Sequence, residues 1–160
     1  MKKLIVLALV FAVSLTAAAA MAQQSDFGTL NVTASVIGTC RVITPPADVA
    51  FGAYDPTDPV DNTNGQGSFT FRCTRGTDYG TFIVRNNQMT GPGGEILNYE
   101  LYTEAGRTSG TEFPVDDTVG TPDNAADNTP ITIQVYGTIP AQQNVSVGDF
   151  SENVTFTVLW

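Results

Sequence analysis

Apolar and polar residues alternate in many short stretches of this chain. Side chains of a β-strand point to opposite faces in turn, so a period of two predicts strands with one buried face. Glycine, proline, threonine and asparagine separate these stretches, and no window keeps helical spacing over three turns. The predicted strands are 29–37, 39–44, 49–53, 67–74, 79–86, 96–103, 130–137 and 151–160. So many short strands with turns between them favour an antiparallel β-sandwich.

Both ends of the predicted fold carry this alternation. The apolar positions are Leu30, Val32, Ala34 and Val36 in the first strand, and Val154, Phe156, Val158 and Trp160 in the last. A strand must bury its apolar face and satisfy the hydrogen-bonding groups along its edge. The first strand could do so within its own sandwich, or in a sandwich belonging to a neighbouring chain. The pattern alone leaves both possibilities open.

The first 22 residues have the features of an export signal. Lys2 and Lys3 precede an apolar run over residues 4–15, and Ala20-Met21-Ala22 resembles a cleavage site. The alternative is a membrane anchor, but a membrane-spanning helix needs about 20 apolar residues and this run is shorter. We therefore expect an exported protein with a signal peptide at 1–22 and one domain at 23–160.

The charge balance narrows the range of partners. Removal of the signal leaves five arginines against 16 acidic residues, a formal charge of −11. Nucleic acids and anionic membrane surfaces attract cationic patches. We therefore expect neither as a partner, and no insertion into a membrane.

Two cysteines remain, Cys40 and Cys73, which lie 33 residues apart. In an oxidising compartment, a disulfide between them is the simplest interpretation. It would stabilise the fold by roughly 3–4 kcal/mol in the chain-entropy model. The alternative is a reactive thiol or metal-binding pair, which the absence of histidine and of further cysteines disfavours.

The residues needed for most enzymatic chemistry are missing. The chain has no histidine and, after signal removal, no lysine, so the usual triads and Schiff-base chemistry are excluded. Asp116 and Asp117 are adjacent and indicate a charged loop. Asp55, Asp58 and Asp61 could offer oxygens to calcium, but prolines interrupt them and the order of an EF-hand is absent. We expect no catalytic residues, no metal and no cofactor.

Several longer strings resemble the spore coat protein U domain, a family that includes subunits of archaic chaperone–usher pili. They follow the family's order and cover nearly all of the chain after the signal. A tryptophan–glycine pair often found after the Arg-Thr of the family is absent, and residues 109–113 stand there instead. The matching strings are VIGTCRV around Cys40, VAFGAYDP at 49–56, GSFTFRCTRGTDYGTFIV at 67–84, LNYELYTEAGRT at 97–108, and VYGTIPAQQNVSVGDFSENVTFTVLW at 135–160.

This resemblance implies an all-β, incomplete immunoglobulin-like sandwich that lacks its final strand. In such pilins a periplasmic chaperone lends the missing strand, and at the outer-membrane usher the N-terminal segment of the next subunit replaces it. Residues 23–37 would then be the donor strand, inserting Leu30, Val32, Ala34 and Val36. The last strand, with Val154, Phe156, Val158 and Trp160, would face its own core or also contact the chaperone.

The resemblance therefore implies a structural fibre subunit and no enzyme. It would pass through the periplasm to the cell surface, where it would act in adhesion and biofilm formation. Two other functions stay open: a structural component of a spore or cell coat, and a monomeric module that binds surfaces or carbohydrates. The aromatic residues Tyr54, Tyr79 and Phe113, predicted to lie in or beside acidic loops, motivate the last possibility.

Overall fold

The computed structural model describes residues 25–118 and 122–160. The chain divides into two units, residues 1–34 and 35–160, and the β-structure lies in the second. The signal peptide predicted at 1–22 lies outside the described residues. In the described ranges, no helix has the length and apolar character needed to cross a membrane.

Nine strands and one 3₁₀ turn, at Pro92–Gly94, make up the described secondary structure. The strands are β1 (Cys40–Ala47), β2 (Asn62–Cys73), β3 (Asp78–Val84), β4 (Gln88–Thr90), β5 (Ile96–Asn98), β6 (Glu100–Tyr102), β7 (Asp123–Asn124), β8 (Ile131–Ile139) and β9 (Thr155–Leu159).

The strands form three antiparallel sheets. One has four strands in the order β1-β2-β8-β6, a second has the order β7-β3-β9, and β4 pairs with β5. The alternation is clearest in β2, where every second residue from Gly65 to Cys73 is buried and those between are more exposed. This is the period expected of a strand with one face on a core and the other towards solvent.

Aromatic rings join the two larger sheets across the core. Phe71 of β2 meets Tyr79 of β3 edge to face, with the ring centroids 5.1 Å apart. Phe69 of β2 stacks on Phe156 of β9. Such rings contribute large apolar areas to a core. The fold is therefore an immunoglobulin-like antiparallel β-sandwich, as predicted.

The disulfide between Cys40 and Cys73 is present, which confirms that prediction. The two residues are direct cross-strand partners at the start of β1 and the end of β2. Both side chains are buried at the end of the core. The bond therefore fixes the first residue of β1 to the neighbouring strand.

Three strand predictions were wrong in this single chain. Residues 29–37 form no strand, and every residue from 25 to 39 is exposed. Residues 49–53 also form no strand. The stretch 96–103 forms two strands, because the chain changes partner at Tyr99: β5 pairs with β4, whereas β6 pairs with β8.

Candidate functional site: an open groove between the first and last strands

Strands β1 and β9 are each paired along one side only. Within the described residues, β1 pairs with β2 and β9 pairs with β3, and no strand lies between them. Each therefore presents a row of backbone N–H and C=O groups with no ladder partner. The two edges belong to different sheets, and their Cα atoms approach within 8 Å, so both edges lie on the same side of the sandwich.

The inner face of the sandwich is uncovered at these edges. Phe71 has no exposed surface, yet its cross-strand partner Val42 on β1 is 49% exposed. On β9, Phe156 and Val158 pack against the core but are only partly buried, although Ile83, the partner of Phe156, is 4% exposed. An inward-facing residue of a closed sandwich would be covered by the next strand, so this core lacks cover along one side.

Two adjoining cavities follow the uncovered side. One has a volume of about 420 Å³ and is lined by core side chains of both sheets, which include Phe69, Ile83, Leu101 and Val135. The other, of about 710 Å³, lies between residues 49–56 and 145–150. We call the two together the edge groove. The residues that line both cavities are Val49, Phe51, Met89 and Phe150.

One wall of the edge groove is the segment after β1, residues 48–54. The Phe51 ring lies against Gly65 of β2 and Gly137 of β8, and a Cβ atom at either glycine would collide with it. The Nδ2 atom of Asn62 donates hydrogen bonds to the carbonyl oxygens of Phe51 and Ala53, each at 3.2 Å. These contacts hold the segment in place without a strand ladder, which explains why 49–53 is buried at Phe51 but is not a strand.

The aromatic side chain of Tyr54 ties this wall to the loop after β8. Its hydroxyl donates to the carbonyl of Pro140 and accepts from the backbone N–H of Gln143, both at 2.9 Å. A tyrosine predicted to lie in or beside an acidic loop is thus hydrogen-bonded within the fold. Phe113 and Tyr79 are likewise core residues, at 1% and 8% exposure. The aromatic loop residues that motivated a binding module are therefore not a surface cluster.

The opposite wall is the loop between β8 and β9, and it is bound to the β4–β5 hairpin. Thr90 and Ser151 exchange backbone hydrogen bonds of 2.9 and 3.2 Å. The carboxylate of Glu95 accepts hydrogen bonds from the backbone N–H and the hydroxyl of Ser146, at 2.7 and 2.8 Å. These bonds stabilise the ionised form and lower the pKa of Glu95. The Phe150 ring packs on Gly91, where a Cβ atom would not fit.

The charged residues that line the edge groove are all acidic: Asp48, Asp149 and Glu152. Burial, with a hydrogen bond to Glu152, raises the pKa of Tyr99 far above its usual range, so this phenol stays neutral. In the described part of the chain, no group of three or more acidic, cysteine or histidine side chains could hold a metal ion. Apart from the three carboxylates, the groove offers apolar surface and groups for backbone hydrogen bonding.

The predicted donor residues are exposed. Leu30, Val32 and Val36 are 85%, 89% and 83% exposed, and Ala34 is exposed as well. On the terminal strand, Phe156 and Val158 are partly buried, whereas Val154 and Trp160 are 39% and 58% exposed. Their roles in binding another chain remain predictions.

Sequence reasoning did not single out the residues that line both cavities. Val49 and Phe51 lie in the predicted strand 49–53, and Met89 and Phe150 lie between predicted strands. Two glycines could have indicated them: Gly65 lies just before the predicted strand 67–74, and Gly67 is its first residue. Glycine within a strand often marks a close approach by another segment. Here the approaching residues are Phe51 at Gly65 and Val49 at Gly67.

A comparison with protein-family models identifies the family. The model of the Spore Coat Protein U domain matches residues 26–157. Protein U of Myxococcus xanthus is 29% identical, with 98% of this chain and 97% of the relative aligned. A solved chaperone–tip adhesion subunit pre-assembly complex, CsuC–CsuE from the archaic chaperone-usher Csu pili of Acinetobacter baumannii, aligns at 19% identity with a TM-score of 0.42. That alignment covers 79% of this chain and 40% of the other.

Proposed function

The chain belongs to the Spore Coat Protein U domain family, and on that premise we propose that it is a structural subunit of an exported surface fibre. Subunits would be joined by donor-strand exchange: residues 23–37 of one copy enter the edge groove of the next. The observation that carries this proposal is the edge groove itself, an uncovered core flanked by two unpaired strand edges.

Apolar burial would supply much of the binding energy. The inserted strand would place Leu30, Val32, Ala34 and Val36 towards the core, at positions that are exposed in the single chain. Full burial of a leucine or valine stabilises by roughly 1.5–3 kcal/mol, so the three larger side chains would together contribute about 5–9 kcal/mol. The polar residues between them would face solvent.

Backbone pairing would add to this. A strand placed between β1 and β9 would bond to their free N–H and C=O groups and remove both open edges. Main-chain bonds hold an added strand, and the pockets for alternate side chains select it. The walls of the groove are already bonded in place, so little ordering of the acceptor is required.

The same groove implies the other partners. An uncovered core is prone to aggregation, and a periplasmic chaperone would protect it by lending a strand. Val154, Phe156, Val158 and Trp160 would line the edge that the chaperone contacts. Residues 1–22 would direct export, an outer-membrane usher would exchange the chaperone for the next subunit, and the fibre would serve adhesion and biofilm formation. No catalytic step and no cofactor is needed.

Deletion of residues 23–36 tests the proposal. The truncated chain should still fold and be recovered with its chaperone, but it should form no fibres by electron microscopy. A chain in which the polar residues Asn31, Thr33 and Ser35 are replaced by alanine is the control, and it should still polymerise. If the truncated chain forms fibres, strand exchange through this segment is wrong.

A coat component is the second candidate, because the family description refers to spore coats. Strand exchange could equally link subunits within a coat. The neighbouring genes distinguish the two: adjacent chaperone and usher genes support a fibre, and their absence supports a coat. Localisation of the protein on intact cells by immunogold labelling would give the same distinction directly.

A further inference from the structure

Three neighbouring strands of the four-stranded sheet, β1, β2 and β8, carry a basic and neutral polar outer face on an acidic protein. The chain holds 16 acidic residues, yet β1, β2 and β8 contain none of them. We call the outward-facing residues of these three strands the outer strip. They are Arg41 and Thr44 of β1, Gln66, Ser68, Thr70 and Arg72 of β2, and Thr132, Gln134 and Tyr136 of β8.

Two arginines lie side by side at one end of the outer strip. Arg41 and Arg72 are direct cross-strand partners, and both are exposed. Among the described residues the ion pair is that of Arg85 with Glu100, so neither strip arginine has a carboxylate within 4.0 Å. Like charges directly opposite each other destabilise a sheet. The pair therefore does not serve the fold, and an external anion would relieve the repulsion.

The middle of the outer strip offers uncharged hydrogen-bonding groups in cross-strand rows. The hydroxyls of Thr70 and Thr132 lie 2.9 Å apart. Ser68 is level with Gln134, and Gln66 with Tyr136. These hydroxyl and amide groups can each donate or accept, as the hydroxyls of a sugar require.

A third cation marks the far end. The Arg107 guanidinium lies over the Tyr136 ring, 5.5 Å from its centroid. It is held there by hydrogen bonds to the carbonyl oxygens of Thr63, Ala105 and Gly137, at 2.6, 2.8 and 3.1 Å. Tyr136 is level with Gln66 of β2, and Gln66 lies six residues from Arg72 along the strand, a distance of about 20 Å. Carboxylates lie close to this end as well: burial, together with Glu100, Glu112 and Asp61, raises the pKa of Tyr102, the cross-strand partner of Tyr136. The strip thus has a pair of cations without carboxylate partners at the Arg41–Arg72 end only, and neutral donors and acceptors lead away from it.

We propose that the outer strip binds an acidic polysaccharide, with a sugar carboxylate on the Arg41–Arg72 pair and sugar hydroxyls on the residues that lead from this pair towards Tyr136. The length of the strip requires a polymer. Double-stranded DNA carries a charge every 1.7 Å or so, which is far denser than these cations, and the net negative charge of the protein would repel it. A sparsely charged, hydroxyl-rich polymer fits both features. The strip is on the solvent side of the sheet, so this binding is independent of strand exchange in the edge groove.

The test measures binding of the full mature protein to immobilised polygalacturonate, with dextran as the neutral control polymer. The Arg41→Gln/Arg72→Gln double variant should bind polygalacturonate about tenfold more weakly or worse in low salt. It should fold normally, because the substitution removes a like-charge contact. Arg75→Gln is the matched control: it removes the same kind of charge from the adjoining turn, beyond the strip, and should bind within about twofold of wild type.

A second comparison separates sugar recognition from charge alone. Thr132→Val keeps the side-chain shape but removes a hydroxyl from the strip, so it should weaken binding to polygalacturonate and leave binding to poly-L-glutamate unchanged. Equal binding of the double variant and wild type, or equal binding of dextran, would overturn the proposal. The proposal would also be wrong if the wild-type protein bound poly-L-glutamate as tightly as polygalacturonate. It would be wrong as well if the double variant lost self-association but kept its binding to polygalacturonate.

Discussion

Val32→Asn is the sharpest single test of the proposed strand exchange. Val32 lies in the middle of the alternating segment and is 89% exposed in the single chain. In an assembled fibre it would enter the edge groove, where a polar amide has no partner. Thr33 is the next residue and would face solvent, so Thr33→Asn places the same side chain on the opposite face.

The size of the effect follows from the change in burial. Full burial of valine is worth roughly 1.5–3 kcal/mol, which the variant would lose. Burying the amide without a hydrogen bond costs about 1–3 kcal/mol more. A total of roughly 2.5–6 kcal/mol per junction corresponds to an approximately 10²- to 10⁴-fold faster dissociation if the change falls on the off-rate. Thr33→Asn, at a solvent-facing position, should change stability by no more than about 0.5 kcal/mol.

The assay is dissociation of assembled fibres across a guanidinium series, followed by sedimentation of the remaining polymer. Val32→Asn fibres should fall apart at a clearly lower denaturant concentration than wild-type fibres, and Thr33→Asn fibres should match wild type. Equal loss in the two variants would show that the segment does not insert with alternating faces. No loss in Val32→Asn would show that this side chain is not buried between subunits at all.

Three further outcomes follow from the acceptor fold. Replacing both Cys40 and Cys73 with alanine should lower the free energy of unfolding by roughly 3–4 kcal/mol in urea titrations, because the unfolded chain regains the freedom of a 33-residue loop. Gly65→Ala should lower the melting temperature, since its Cβ would collide with the Phe51 ring, at a cost of about 1–3 kcal/mol, and Phe51→Leu should partly restore it. The lowered pKa of Glu95 stabilises the β8–β9 loop above the carboxyl's usual pKa of 4.5, and this stability is lost as the pH falls through the lower folded value. The protection factors of the amides in that loop, which are corrected for the intrinsic exchange rate at each pH, should therefore fall in acid, and Glu95→Gln should abolish this pH dependence of the protection factors.

The alternation in the sequence predicted the central strands because burial on one face decides them. Strands β2, β3, β8 and β9 fall within or beside the predicted ranges, although β2 begins five residues earlier than the predicted 67. Its early part, from Asn62, is rich in asparagine and glycine and resembles a loop. It is a strand because β8 pairs with it there, at Asn62 with Ile139 and Gly65 with Gly137.

The errors in the predicted strands share a physical cause. An alternating pattern indicates that one face of a segment is buried, but it does not indicate which strand, if any, pairs with that segment. Leu97, Tyr99 and Leu101 are all buried, at 4%, 6% and 1%, so the alternation at 96–103 was correct. The ladder nevertheless changes from β4 to β8 at Tyr99. Residues 29–37 have the pattern of a strand but no partner in the single chain. The edge groove was equally hidden, since it depends on which edges remain unpaired.

The position of the disulfide has a mechanical consequence for a fibre built as proposed. Tension between subunits would enter each domain where the donor segment ends, at Cys40. The covalent bond carries that load straight into β2, a strand that is hydrogen-bonded on both sides. The edge strand β1 is thereby spared from peeling away, and the weakest element under pull becomes the non-covalent junction between copies. Such a fibre would come apart at its joints before any of its subunits unravelled.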